Sequence, residues 1–151
     1  MDLYSRKIVS WTLSTTLEAV HVADTVCKAM KLIGVSSPLV LHSDRGSQYV
    51  SEAYLEAAKI VQLSHSKIGY PYDNACIESF RSLIKREWLN MVRIRGYEHA
   101  YKLVFEYIEA FYITVRSHSH CSYLSPDDFK IIYKNNSFLI SELLIYTNWY
   151  V

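Results

Sequence analysis

At 151 residues, half of them hydrophobic, the chain is long enough to bury one core and short for two. Sixteen Lys and Arg against fifteen Asp and Glu leave a formal charge of +1, so any attraction to nucleic acid must come from local charge. Three scattered cysteines (Cys27, Cys76, Cys121) without CxxC spacing argue against a disulfide framework or zinc ribbon, and no apolar run approaches the ~18 residues that span a bilayer; a cytoplasmic protein with buried thiols is expected.

Arg6 to Ser14 carries β-branched and aromatic residues in a short run and predicts a strand. From Leu17 to Leu32 the apolar positions Val20, Ala23, Val26, Cys27, Met30 and Ile33 predict an amphipathic helix capped by Thr15 or Thr16. Gly34 and Ser36-Ser37-Pro38 end it, and Leu39-Val40-Leu41 reads as a buried parallel strand. Ser51 caps a predicted helix over Glu52 to Ile60, followed by a strand at Val61 to His65 and a loop marked by Gly69, Pro71 and Asp73-Asn74. Helices are predicted from Ala75 to Met91 and from Tyr97 to Val115, the latter with Ala100, Leu103, Val104, Tyr107, Ile108 and Phe111 on one stripe. Ser125-Pro126-Asp127-Asp128 opens one more helix, and beyond Asn135-Asn136 the pattern is unclear. Strands alternating with helices indicate an α/β fold with a partly parallel sheet, whose functional residues belong just past the carboxyl ends of the strands.

Three features combine at such a place. Asp44, in His42-Ser43-Asp44-Arg45-Gly46, follows the apolar strand directly; its carboxylate is either a turn residue or a cation ligand. Glu78 lies about one turn into a helix, where an acid favours the macrodipole, yet its neighbours Ile77 and Phe80 are apolar and a metal ion is one candidate partner. The same helix carries Arg81, Lys85 and Arg86, and the stretch from Arg81 to Lys102 holds six basic residues against two acidic ones. Such a face is either a solvated surface or a seat for a phosphate backbone. His118 and His120 near Cys121 lack a fourth ligand at zinc spacing.

Asp2 to Trp11 (DLYSRKIVSW), His42 to Tyr49 (HSDRGSQY), Gly69 to Phe80 (GYPYDNACIESF) and Arg116 to Phe129 (RSHSHCSYLSPDDF) together resemble the ordered signatures of insertion-sequence transposases of the retroviral-integrase type. The resemblance implies a ribonuclease H-like fold in which three carboxylates hold two Mg²⁺ or Mn²⁺ ions for phosphoryl transfer on DNA. By position Asp44 matches the second carboxylate and Glu78 the third. The first belongs upstream of the segment matching Asp2 to Arg6, and Asp2 does not take its place. The resemblance therefore implies a truncated core over 1–136, lacking its first strand and most of its second, with an atypical tail at 137–151. The Leu39 to Leu41 strand would then lack a neighbour on one side, with poor stability or association as the result.

Impaired strand transfer is expected from the missing carboxylate; the alternatives are a non-catalytic remnant that binds DNA or intact transposase, and a product without a role. Implied partners are DNA, both transposon ends and target, through Arg81, Lys85, Arg86, Arg116 and His118, and either full-length transposase or a second copy. A bacterial cytoplasmic location, at the nucleoid when bound to DNA, follows. Two departures stand out: Ile113 occupies a position where the family usually has Asn, and the Asp44 to Glu78 spacing is shorter than usual.

Overall fold

The apolar run at Leu39 becomes the central strand of a three-stranded parallel sheet. A computed structural model describes residues 1–34, 39–67, 71–133 and 141–144; the turns expected at Ser36-Ser37-Pro38, Gly69 and Asn135-Asn136 lie outside the described residues. Strand β1 (Leu39–Ser43) pairs on one side with β2 (Gln62–His65), Val40 opposite Gln62 and Ser43 opposite His65. On its other side runs β3 (Ser141–Leu144), Leu39 opposite Ser141 and His42 opposite Leu144, so the order is β2-β1-β3. The neighbourless side expected for Leu39 to Leu41 is thus filled by Ser141–Leu144, within the stretch expected to be a tail. Being central, β1 buries Leu39, Leu41 and Ser43.

Helix α1 (Ala19–Ile33) and α2 (Glu52–Ala57) pack beside β1, where Val22, Val26, Met30, Leu39, Leu41, Tyr49 and Tyr54 form one apolar cluster. Ser51 caps α2 by accepting from the Tyr54 amide at 3.2 Å, as its sequence position indicates. A second cluster joins Ile8 and Leu13 to α3 (Ala75–Glu87) through Ile77, Phe80 and Ile84, and to α4 (Tyr97–Phe105) through Ala100 and Val104. Burying a side chain such as Ile84 fully contributes roughly 1.5–3 kcal/mol. Helix α5 (Pro126–Tyr133) starts on Ser125, whose Oγ accepts from the Asp128 amide at 3.2 Å and donates to Asp128 Oδ2 at 2.6 Å.

Four expectations change. The run Arg6 to Ser14 forms no strand: Arg6 adopts φ 62°, and the segment packs through Ile8 and Leu13 with no ladder partner among the described residues. Helix α1 is capped at Glu18 rather than a threonine; Ala23, Val26 and Met30 of the expected stripe are buried, joined by Val22 and Ala29, whereas Val20 and Cys27 face outward because both sides of the helix are apolar enough to compete. Of the three thiols only Cys121 is buried. The helix at Tyr97 changes to π geometry over Glu106–Tyr112, so that Ile113 N donates to Ile108 O at 3.1 Å and Arg116 N to Phe111 O at 2.8 Å. Five-residue spacing replaces Phe111 on the buried stripe by Tyr112 and Ile113.

No helix among the described residues is long and apolar enough to cross a membrane.

Candidate metal and nucleic-acid site

Ser66 joins the three elements from which the site is built. Its amide donates to the carbonyl of Ser43, the last residue of β1, at 3.0 Å. Its carbonyl accepts from Arg45 Nε at 3.1 Å, and its hydroxyl lies 3.2 Å from His42 Nε2 and accepts from Asn74 Nδ2 at 2.7 Å. Lys67 N donates to Asp73 Oδ2 at 3.1 Å beside this contact. Asn74 is the residue before α3, where an Asn ordinarily caps the helix with its own side chain; here no cap bond forms and the side chain is spent on Ser66 instead. The start of α3 is thereby tied to the carboxyl edge of β1.

Asp44 stands immediately past that edge, half-buried. Its Oδ1 accepts from the Gly46 amide at 2.8 Å, the local turn bond that the sequence allowed. A Cβ at Gly46 would come within 3.1 Å of the same oxygen and 3.0 Å of Gln48 Oε1, so glycine keeps the carboxylate clear. Glu78 is exposed in the first turn of α3, four residues after Asn74 and on the same flank. Helical side chains lean toward the N-terminus of their helix, which directs Glu78 back toward the end tied to Ser66.

Three stripes of identical spacing divide α3. Ile77, Phe80 and Ile84 face the core; Glu78, Arg81 and Lys85 form one flank; Cys76, Ser79 and Leu83 form the other. Lys85 is exposed and Arg81 half-buried. Arg86 is exposed and approaches Glu87 at 3.9 Å. The other two cationic positions sit elsewhere. Arg116 makes a two-pronged pair with Glu87, Nε to Oε2 at 2.9 Å and Nη2 to Oε1 at 2.7 Å, while the Tyr107 hydroxyl donates to Oε2 at 2.8 Å. Arg116 holds the Glu87 carboxyl below the usual range, and burial followed by the bond to Glu87 raises the Tyr107 phenol. His118 is buried against Tyr112, ring centroids 4.6 Å apart, and burial lowers its imidazole, helped by Arg116.

Among the described residues no three His, Cys, Asp or Glu side chains stand together as a metal-holding group. Asp44 and Glu78 do supply hard oxygen donors, which suits Mg²⁺ or Mn²⁺, and Asn74 Oδ1 is a buried oxygen with no hydrogen-bond partner among the described residues. Asp2 serves the N-terminal turn: Oδ1 accepts from Tyr4 N at 3.0 Å and Oδ2 from Ser5 Oγ at 2.6 Å. In the sequence Ser66 carries no local signal, Asn74 stands only as a helix opener, and Glu87 is one acid among bases. The one visible signal for Glu87 was its isolation in a basic stretch.

The mixed α/β architecture, with its small parallel sheet, is that of an integrase-type, ribonuclease H-like core. The solved catalytic core domain of BIV integrase has the same fold, with a TM-score of 0.58 at 16% identity over 89% of this chain and 84% of that one. Two models described as integrase core domain match residues 1–71 and 59–126. The chain is 39% identical over 132 residues to the transposase for insertion sequence element IS904 of Lactococcus lactis, covering 86% of this chain and 52% of that protein. It is 36% identical over 132 residues to transposase InsF for insertion sequence IS3A of Escherichia coli, covering 86% and 46% respectively. The chain belongs to the integrase-type insertion-sequence transposases, and it spans about half the length of these curated relatives.

Proposed function

We propose that this chain acts as the DNA-facing core of a transposase, with Asp44 and Glu78 as two carboxylates of a divalent-cation site for phosphoryl transfer. The observation that carries this reading is the Ser43–Ser66–Asn74 connection, which brings the start of α3 to the edge beside Asp44. Mg²⁺ or Mn²⁺, when bound, would supply Lewis-acid support to the attacking and departing oxygens. Asp44 would offer Oδ2, since Oδ1 is engaged by Gly46 N. Glu78 would close from the helix side, and Arg81 and Lys85 on the same flank would hold the strand's phosphates in register. Two carboxylates leave much of a cation's coordination to water and phosphate oxygens, so weak metal affinity and impaired strand transfer by the chain alone belong to the proposal.

The second reading, a binding module without chemistry of its own, is favoured by the lack of a three-ligand group among the described residues. Manganese titration followed by electron paramagnetic resonance, with duplex binding measured in parallel, separates the two. The catalytic reading expects Asp44→Asn and Glu78→Gln each to weaken manganese binding while duplex affinity stays within about twofold, because anionic ligands oppose rather than supply phosphate contacts. Manganese binding unchanged in both variants would leave only the binding module.

A further inference from the structure

On the flank of α3 away from Glu78, a cavity of about 520 Å³ opens between Cys76, Ser79 and Leu83 and the segment from Arg116 to Tyr123. That volume falls within the roughly 300–1,000 Å³ of small-ligand sites. No Asp or Glu among the described residues lines it. Arg6 does, with Nη1 donating to Cys76 Sγ and Nη2 lying 3.3 Å from His120 Nδ1. His120 Nε2 lies 3.1 Å from the Tyr4 carbonyl, to which it donates, so Nδ1 is left as an acceptor and fixes the guanidinium. Arg6 is in no ion pair among the described residues, whereas Arg116 is neutralised by Glu87. The cavity therefore carries one aimed, uncompensated positive charge.

Two further observations point to a ligand. His118 lines the cavity and is 8% exposed; its Nδ1 lies 3.4 Å from Arg116 Nη1, which can only donate, so the neutral ring keeps its proton on Nε2, a buried donor that approaches the Tyr112 backbone but makes no well-formed hydrogen bond among the described residues. Backbone strain is concentrated here as well: Arg6, Ser122 and Tyr123 are the non-glycine residues at positive φ among those described, and Arg6 and Tyr123 both line the cavity. Tyr123 is 76% exposed, and Phe80, Leu83 and Tyr112 add apolar lining to the same cavity.

An arginine without an acidic partner and an exposed aromatic residue lining one cavity are the pair of groups that can hold a phosphate and its base. We propose that this cavity takes one unpaired nucleotide of a DNA strand, its phosphate on Arg6 and its base against Tyr123. The inference rests on the reading of the chain as DNA-handling, and it adds a second contact across the helix. A helix with its side chains is about 10–12 Å thick, so a strand whose phosphates follow Lys85 on one flank could reach the cavity with a neighbouring nucleotide.

The test is fluorescence anisotropy of a labelled single strand of about ten nucleotides and of the matching duplex, with the full chain and its variants. Tyr123→Gly relieves the positive φ while deleting the ring, so the fold is kept; it should weaken single-strand binding about tenfold and duplex binding less than about twofold. Arg6→Gln should weaken the single strand similarly, with circular dichroism confirming that it folds. Single-strand affinity within about twofold of the parent in Tyr123→Gly, or no single-strand binding by the parent, overturns the proposal. Lys85→Gln tells the two readings apart: duplex binding indifferent to Lys85 removes the flank contact, yet the cavity assignment stands as long as Tyr123→Gly is selective for the single strand.

Discussion

Replacing Glu87 by Gln removes the charge that joins the far end of α3 to the chain beyond the π turn, while keeping the shape of the side chain. Arg116 would keep its guanidinium against the protein, its side chain 19% exposed beside a Glu87 side chain 26% exposed, without a carboxylate to answer it. Hydrogen bonds to charged groups contribute about 1.5–3 kcal/mol, and partial exposure screens the Coulombic share, so the loss should be about 2 kcal/mol. For a chain of this size that lowers the melting temperature by about 4–8 °C. The pH dependence has a definite sign. Because Arg116 depresses the folded-state carboxyl, its stabilisation is complete above the unfolded value of ~4.3 and fades as pH falls through the lower folded value. Calorimetric melts of parent and variant should therefore differ fully at neutral pH and converge in strong acid. A difference of under about 1 °C at neutrality, or one equally large at about pH 3, would refute the assignment of a charged tie.

Ile113→Asn, which introduces the residue that the resemblance leads one to expect there, should destabilise this chain by about 3 kcal/mol, because position 113 is 3% exposed in an apolar cluster and an amide there would be buried unpaired. Urea unfolding checks it, and a loss below about 1 kcal/mol would mean that the site accommodates the amide. A chain ending at Tyr133 lacks β3 and uncovers the backbone of Leu39 to His42; light scattering should show more concentration-dependent association than for the full chain, and equal association would contradict the capping role of Ser141–Leu144.

The elements that were legible are those whose burial is decided locally. The Leu39 to Leu41 run and the Ser51 and Ser125 caps declare themselves through apolar length and cap chemistry. Arg6 to Ser14 misled because extended propensity says nothing about whether a partner edge exists. The helix from Tyr97 is legible in its place but not in its period beyond Glu106: one inserted residue per turn moves burial from Phe111 to Tyr112, and tertiary packing rather than composition sets such a change.

For the candidate site, Asp44 and Glu78 could be singled out from their positions after a strand and in a first helical turn, with the resemblance supplying their pairing. What holds those elements together was not legible, because Ser66 and Asn74 meet only through the fold. The same is true of the basic set: Arg81, Lys85 and Arg86 are neighbours by helical spacing, whereas the pairing of Arg116 with Glu87 spans 29 positions and no local pattern announces it.

The partnership of Leu39 with Ser141 imposes an order on assembly. Both sides of the central strand are satisfied only after about a hundred intervening residues have been synthesised, and loop closure over that length must come before its reward. During emergence from the ribosome β1 can dock on α1 and then on β2 while its remaining edge stays available to any passing strand. Slow translation, or a shortage of chaperone, would therefore harm this protein through that interval, well before its finished stability comes into play.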